Sequence, residues 1–336
     1  MELGFWAFGT AIVAFLITAV IGKYLIPFLH KLNFGQTILE IGPKWHKKKQ
    51  GTPTMGGIMF IIGIVIATTA GVLLYAFMHD GMDSVSIYVF VGLIFALLNG
   101  AIGFIDDYVK VVKKRNLGLT AKQKLALQFL SAAIYLFLMY LCKDDTRILV
   151  PFVGYVDLGW FYYVVMAVVM VGIINAVNLT DGIDGLDGSI TFFASLFMML
   201  IATVIEFDAD ALFSAAVAGG CLGFLVWNFH PAKCFMGDTG SLFLGGIVCA
   251  IAFAMDMQLL LILIALMYLL EMFSVMLQVS YFKITHGKRI FKMSPIHHHF
   301  EMCGWSEMKI VCVFSAFTAL CGIGALLLTI FGIRGV

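Results

Sequence analysis

Hydrophobic residues fall along this chain in long blocks, and the short segments between them hold most of the charge. Ten blocks are long enough to cross ~30 Å of hydrocarbon at ~1.5 Å per residue. They run roughly over 4–29, 55–78, 85–105, 125–142, 161–177, 188–205, 211–229, 241–257, 259–282 and 308–333, the fifth and eighth being short. In lipid, backbone N–H and C=O groups must be satisfied inside the structure, and blocks of this length do so as helices. The pattern predicts an all-α polytopic integral membrane protein of about ten transmembrane helices. We read residues 1–336 as one transmembrane domain, with no convincing internal repeat and no low-complexity tract. One segment breaks the pattern. Within 143–160, two apolar runs, Ile148-Leu149-Val150 and Phe152-Val153 to Val156, are set around Pro151 and Gly154, which predicts a small hairpin.

Composition agrees. The 336 residues are 62% hydrophobic and 12% charged, with mean hydropathy +1.01. Soluble domains are nearer about 45–50% apolar and about 25% charged, so a water-soluble fold could not hide this surface. The seven cysteines (142, 221, 234, 249, 303, 312 and 321) are odd in number, scattered and without a CxxC pair. They read as small hydrophobes, with neither a disulfide framework nor a zinc site. Met1-Glu2-Leu3-Gly4-Phe5-Trp6 lacks a basic stretch and a small-residue cleavage site, so the first block is expected to be a retained helix.

A net charge of +1 says little until it is divided between the two sides. The segments after the first, third, fifth, seventh and ninth blocks carry 17 of the 21 Lys and Arg. The opposite side has Lys143, Arg147 and Arg334, with Lys23 near the end of the first block. By the positive-inside rule the 17 are cytoplasmic, both termini lie outside, and the hairpin sits on the outer surface.

Each unusual polar cluster falls in one of the five cytoplasmic segments. In the first, Lys44-Trp45-His46-Lys47-Lys48-Lys49 meets the turn Gly51-Thr52-Pro53-Thr54-Met55-Gly56-Gly57 at the mouth of the second helix. Lysines and free amides near a helix N-terminus suit an anion, phosphate above all. Lys44 to Lys48 suit an anchor on anionic lipid equally well. In the second, Asp106 and Asp107 close the third block. Ionised Asp costs ~2.5–3.5 kcal/mol at the centre of a membrane helix and far less at its end, which places the pair at the membrane boundary. Both ionised ~5 Å apart, they repel by roughly 3 kcal/mol at an effective dielectric near 20. Such a pair holds a proton, binds a cation or faces a basic partner; a plain helix stop is the alternative.

The third segment, Asn175 to Gly188, spaces Asp181, Asp184 and Asp187 three apart, so a helical turn would align them on one face. No Lys or Arg lies among them, which points to a cation or to polar ligand groups, though not to an EF-hand loop. In the fourth, Asp238 sits in a Gly/Thr turn just ahead of the eighth helix. Phe235 on the same loop either stacks on a planar group such as a base or dips into the membrane interface. The fifth carries His297-His298-His299. Adjacent side chains diverge, so they suit hydrogen-bonding or protonating phosphate oxygens better than ligating one ion together. Glu271, inside the ninth block, is a functional candidate or a protonated residue packed in the bundle.

Acids for a hard cation or a proton, Lys and His for phosphate and one aromatic for a base make the inventory of phosphoryl transfer. There is no GxxxxGK[ST] and no GxGxxG, which argues against a P-loop ATPase. A transporter would place polar residues at the midplane on broken helices, often in repeated halves, whereas Glu271 is almost the only midplane charge here.

With these residues in view, the chain resembles the polyprenyl-phosphate N-acetylhexosamine-1-phosphate transferases over essentially its whole length. The resemblance runs through GTPTMGG (51–57), GFIDDYVK (103–110), NAVNLTDGIDGLDG (175–188), NFHPAKCFMGDTGS (228–241) and PIHHHFE (295–301). PIHHHFE is similar to the motif of the muramoyl-pentapeptide branch and favours it over the GlcNAc-1-phosphate branch. The resemblance implies ten helices, a bent ninth helix, a cytoplasmic active-site cleft and a homodimer in the bilayer of the bacterial cytoplasmic membrane. It implies a Mg²⁺-dependent transfer of phospho-MurNAc-pentapeptide from UDP-MurNAc-pentapeptide to undecaprenyl phosphate, giving lipid I and UMP for peptidoglycan synthesis. No nucleic acid partner is expected. By motif, Asp238 is implied as the Mg²⁺ ligand and Asp106 as the carboxylate that deprotonates the lipid phosphate, with Asp107 beside it. Lys49, Thr54, Asn178, Asp181, Gly182 and Gly237 resemble positions of the nucleoside and ribose pocket. Ile183, Asp184 and Phe235 resemble its uracil shelf. His297 and His298 match the histidine motif near the pyrophosphate, Lys122 a phosphate lysine, and Gln278 a polar position facing the cleft. His230 is given no role.

Overall fold

The computed structural model describes residues 2–32, 49, 51–79, 81–112 and 118–332. Its elements are α1 (Glu2–Lys31), α2 (Gly57–Met78), α3 (Ser84–Val112), α4 (Ala121–Lys143), β1 (Arg147–Val150), β2 (Gly154–Asp157), α5 (Phe161–Thr180), α6 (Leu186–Val204), α7 (Asp208–Asn228), α8 (Gly237–Ala254), α9 (Gln258–Ile264), α10 (Leu266–Ile284), α11 (Ile296–Met302) and α12 (Glu307–Gly332). Every expected apolar block is helical. Among the described residues nine helices are each long and apolar enough to span a membrane, and α9 with α10 forms a tenth span bent by 74°. The hairpin is present, β1 pairing antiparallel with β2 from Arg147↔Asp157 to Val150↔Gly154.

Burial separates the helices into a centre and a rim. In the apolar stretch of α8, 89% of residues are buried, against 28% in α1, so α8 is the axis and α1 faces outward. Phe5, Phe8, Leu16, Val20, Tyr24 and Phe28 of α1 are exposed, as a lipid-facing surface requires. The central helix is rich in Gly, Ala and Ser, which let neighbouring backbones approach where lipid supplies no hydrophobic drive for association. α3 packs against it along a seam of small residues. A Cβ at Gly92 would lie 2.8 Å from that of Ala250, and one at Gly246 would lie 2.9 Å from Ala96 Cα.

The helix-stop reading of Asp106 and Asp107 is overturned. α3 continues past the apolar block to Val112, and both carboxylates lie within it, 3% exposed. The end of the hydrophobic run is not the end of the helix, because protein encloses the pair. On the next chain segment, Thr120 Oγ1 accepts a bond from Gln123 N at 3.3 Å while Gln123 Oε1 accepts one from Thr120 N at 3.0 Å. This capping box starts α4 sharply and fixes Lys124 in its first turn.

Candidate active site

Gly103 sets the site. A Cβ there would lie 2.0 Å from the Asp238 carbonyl oxygen, so α3 and α8 touch backbone to side at this point. One turn on, Asp107 Oδ2 accepts bonds from Thr239 N at 2.9 Å and Thr239 Oγ1 at 2.7 Å, satisfying a free amide in the first turn of α8. Gly237 begins that turn at φ +72°; a Cβ would meet Asp107 Oδ2 at 2.5 Å and Thr54 Oγ1 at 2.7 Å. Asp106 Oδ1 accepts a bond from Leu119 N at 2.7 Å, and its Oδ2 pairs with Lys110 Nζ at 2.6 Å. Lys110 also reaches Asp238 Oδ2 at 2.9 Å, and Lys124 meets the same oxygen at 2.9 Å. Asn178 Nδ2 donates to Asp238 Oδ1 at 2.8 Å and to Ser241 Oγ at 2.7 Å. Asp106, Asp107 and Asp238 each offer an oxygen, all within 4.8 Å of one another. Three hard oxygen donors this close suit a divalent cation. Two ammoniums face three carboxylates, so the cluster still favours added positive charge.

Asp181, Asp184 and Asp187 do not share a face. α5 ends at Thr180, the chain turns, and α6 starts at Leu186. Asp184 Oδ1 pairs with Lys49 Nζ at 2.7 Å; its Oδ2 lies 3.0 Å from His230 Nδ1 and accepts Ala232 N at 3.0 Å. Glu307 Oε2 accepts Lys49 Nζ at 2.7 Å and Asp184 N at 3.1 Å. The expectation of an acidic segment without counter-charge is corrected: at Asp184 the counter-charge is Lys49, far away in sequence, with His230 hydrogen-bonded beside it. Asp184, His230 and Glu307 also converge within 4.8 Å, but the Lys49 ammonium bridges two of them. Asp187 is buried in α6, 3.4 Å from Thr191 Oγ1. Asp181, the cap residue after α5, feels the charges of the other site carboxylates. Burial, then the charges of Asp238, Asp107 and Asp184, push its carboxyl up to about 8.

The profile of glycosyl transferase family 4 matches residues 87–256, which carry all three carboxylates of the cluster. The phospho-N-acetylmuramoyl-pentapeptide-transferase signature 1 matches residues 49–61, from Lys49 into α2. Similar proteins that bear the name phospho-N-acetylmuramoyl-pentapeptide-transferase include the following three. That of Bacillus velezensis is 48% identical over 309 residues, covering 91% of this chain and 92% of its own. That of Caldicellulosiruptor bescii is 46% identical over 309 residues, covering 92% and 93%. That of Bacillus subtilis is 46% identical over 328 residues, covering 96% of each. This chain belongs to the phospho-N-acetylmuramoyl-pentapeptide transferase family.

The structure gathers most of the residues that the resemblance to this family singles out. Asp106, Asp107, Asp238, Asn178, Thr54 and Gly237 form one cluster, and Lys49 with Asp184 a second. Asp181, Gly182 and Ile183 lie on the turn leading into Asp184, with Ile183 buried in the core. Phe235 is half-buried, and its backbone ties two motifs together: its N–H donates to Pro53 O and its carbonyl accepts Gly56 N, both at 2.8 Å. His297 pairs with Glu271 and His298 with Glu301. Gln278 spends its Oε1 on the amides of Ile290 and Phe291, pinning the loop after α10. Lys122 is exposed, and its neighbour Lys124 is the lysine that reaches Asp238. The basic run 44–48 lies outside the described residues. Sequence reasoning passed over Lys110, Lys124, His230, Thr239 and Glu307 as site residues. Lys110 had a signal, since it stands four and three residues beyond the two aspartates on one helix face.

Proposed function

We propose that this chain moves phospho-MurNAc-pentapeptide from UDP-MurNAc-pentapeptide to undecaprenyl phosphate, forming lipid I and UMP, at the cleft around Asp106, Asp107 and Asp238. The cluster of three carboxylates and two lysines, with Asp106 and Asp107 buried in it and the whole within the stretch that matches the family, carries the reading. Asp107 holds Thr239 with one oxygen, and Asp106, bridged to Lys110, is the carboxylate that the family resemblance assigns to take the proton of the lipid phosphate. A lipid phosphate oxygen then attacks the sugar-linked phosphorus, the bond to the UMP oxygen breaks, and UMP leaves. Lys110 and Lys124 turn their ammoniums to the phosphate oxygens as negative charge shifts toward UMP. The donor set suits Mg²⁺ with Asp238 as principal ligand, and when bound the ion supplies charge neutralisation on the pyrophosphate. Lys49, Asp184 and the 181–183 turn hold the nucleoside end, with Phe235 against the base; His297 and His298 serve the pyrophosphate side.

The lysine and arginine asymmetry supports a cleft facing the cytoplasm and both termini outside, and the family resemblance carries the homodimer and the bacterial cytoplasmic membrane. The test supplies purified protein with UDP-MurNAc-pentapeptide, undecaprenyl phosphate and Mg²⁺ and measures UMP release. Turnover of UDP-GlcNAc with none of the muramoyl substrate would move the chain to the sister branch, and no UMP from either would overturn the reading. A covalent phospho-sugar enzyme trapped without lipid acceptor would replace direct attack by a phospho-enzyme.

A further inference from the structure

Glu271 is the one acid between Gln258 and Ile284, and the transfer chemistry above does not use it. It is fully buried, as is His297 of α11. The two meet: His297 Nδ1 lies 3.1 Å from Glu271 Oε2, and the His297 backbone N–H reaches the same oxygen at 3.4 Å. The far side of the ring is unused. His297 Nε2 makes no hydrogen bond to protein, and a Cβ at Gly182 would lie 2.2 Å from it. The ring edge is thus laid against the turn that carries Asp181 and Gly182, at a place only glycine leaves open. One helical turn before Glu271, the Tyr268 hydroxyl meets Thr191 Oγ1 of α6 at 2.7 Å. One face of α10 therefore grips both the helix after the acidic turn and the histidine in front of it.

We propose that Glu271 is a positioning residue for the transfer reaction, fixing His297 so that Nε2 sits against the Asp181–Gly182 turn, where the nucleoside pocket passes into the pyrophosphate side. It rests on the transferase reading. A carboxylate on Nδ1 holds a proton there and fixes the ring plane, so that a proton carried on Nε2 is aimed at a phosphate oxygen of the ligand. Glu271 acts only through the ring, so its removal should be silent once the ring is gone.

The experiment is a double-variant cycle on full-length protein in detergent, read by UMP release. Glu271→Leu is expected to lower kcat about 10- to 100-fold, with KM for the lipid acceptor within about twofold. Glu271→Asp should recover part of the loss. The double variant Glu271→Leu/His297→Gln should match His297→Gln alone within about twofold. Multiplying losses, or a Glu271→Leu enzyme equal to wild type, would overturn the proposal. Should Glu271→Leu fail to fold, Glu271→Asp replaces it in the cycle. Nitrogen-15 histidine spectra read the geometry without turnover: a proton on Nδ1 of His297 is expected, and a ring with Nδ1 unprotonated overturns the proposal. A wild type that releases no UMP sinks the transferase reading instead, and the spectra still decide the placement of the ring.

Discussion

Lys124 Nζ stands 2.9 Å from Asp238 and 3.3 Å from Asn178, while Lys122 is exposed on the same turn of α4. Two residues along a helix point about 200° apart, so only one lysine of this pair can enter the cleft. Lys124→Ala removes one of the two ammoniums on Asp238 and is expected to lower kcat/KM about 100-fold or more, a larger loss than Lys122→Ala gives. UMP release measures both. Asp181 carries a second residue-scale consequence. Its carboxyl, 3.8 in the ordinary case, is pushed up to about 8 in the fold. Between those values the folded chain keeps a proton that the unfolded chain has released, so stability falls as pH rises through the window. The thermal midpoint in detergent without added divalent ions should drop from about pH 5 to about pH 9, and Asp181→Asn, neutral throughout, should flatten the slope.

At the scale of elements, the α3–α8 seam converts backbone contact into site geometry. Gly103→Ala would drive a methyl to 2.0 Å from the Asp238 carbonyl oxygen and part the helices where Asp106, Asp107 and Asp238 converge. Overpacking of this kind costs about 1–3 kcal/mol or more. Activity should fall more steeply than the thermal midpoint, and Gly100→Ala, with 3.3 Å to Phe243, should lose less of both. Helices of this kind are legible in the sequence because a bilayer demands long apolar runs. Their ends are not. α3 looks finished at Ile105, and only its packing against α8 and the Lys110 bridge allow two carboxylates to continue the helix. Lys49, His230 and Glu307 reach Asp184 from three distant segments, so no spacing within one segment announces that cluster. The pairing of Glu271 with His297 is hidden for the same reason: motif reading finds the histidine, hydropathy flags the acid, and only the fold brings them together.

At the scale of the molecule, α12 measures the distance between the two faces. It begins at Glu307, which holds Lys49, and ends at Gly332, whose carbonyl accepts the Phe152 N–H of the hairpin turn at 2.9 Å. Its 26 residues span about 39 Å, so site and hairpin stand on opposite sides of a bilayer. The proposed orientation rests on charge, because 17 of 21 Lys and Arg fall in the segments on the site's end. Val153 at the hairpin turn is 72% exposed, and Lys288 after α10 is exposed at the other end. With the exposed Cys142, Cys303 and Cys312 changed to serine, a membrane-impermeant maleimide should label Val153→Cys on intact cells. Lys288→Cys should label only after permeabilisation. The reverse pattern would put Asp106, Asp107 and Asp238 outside the cell, cut off from a cytoplasmic UDP-linked donor, and would overturn the proposed substrate along with the orientation.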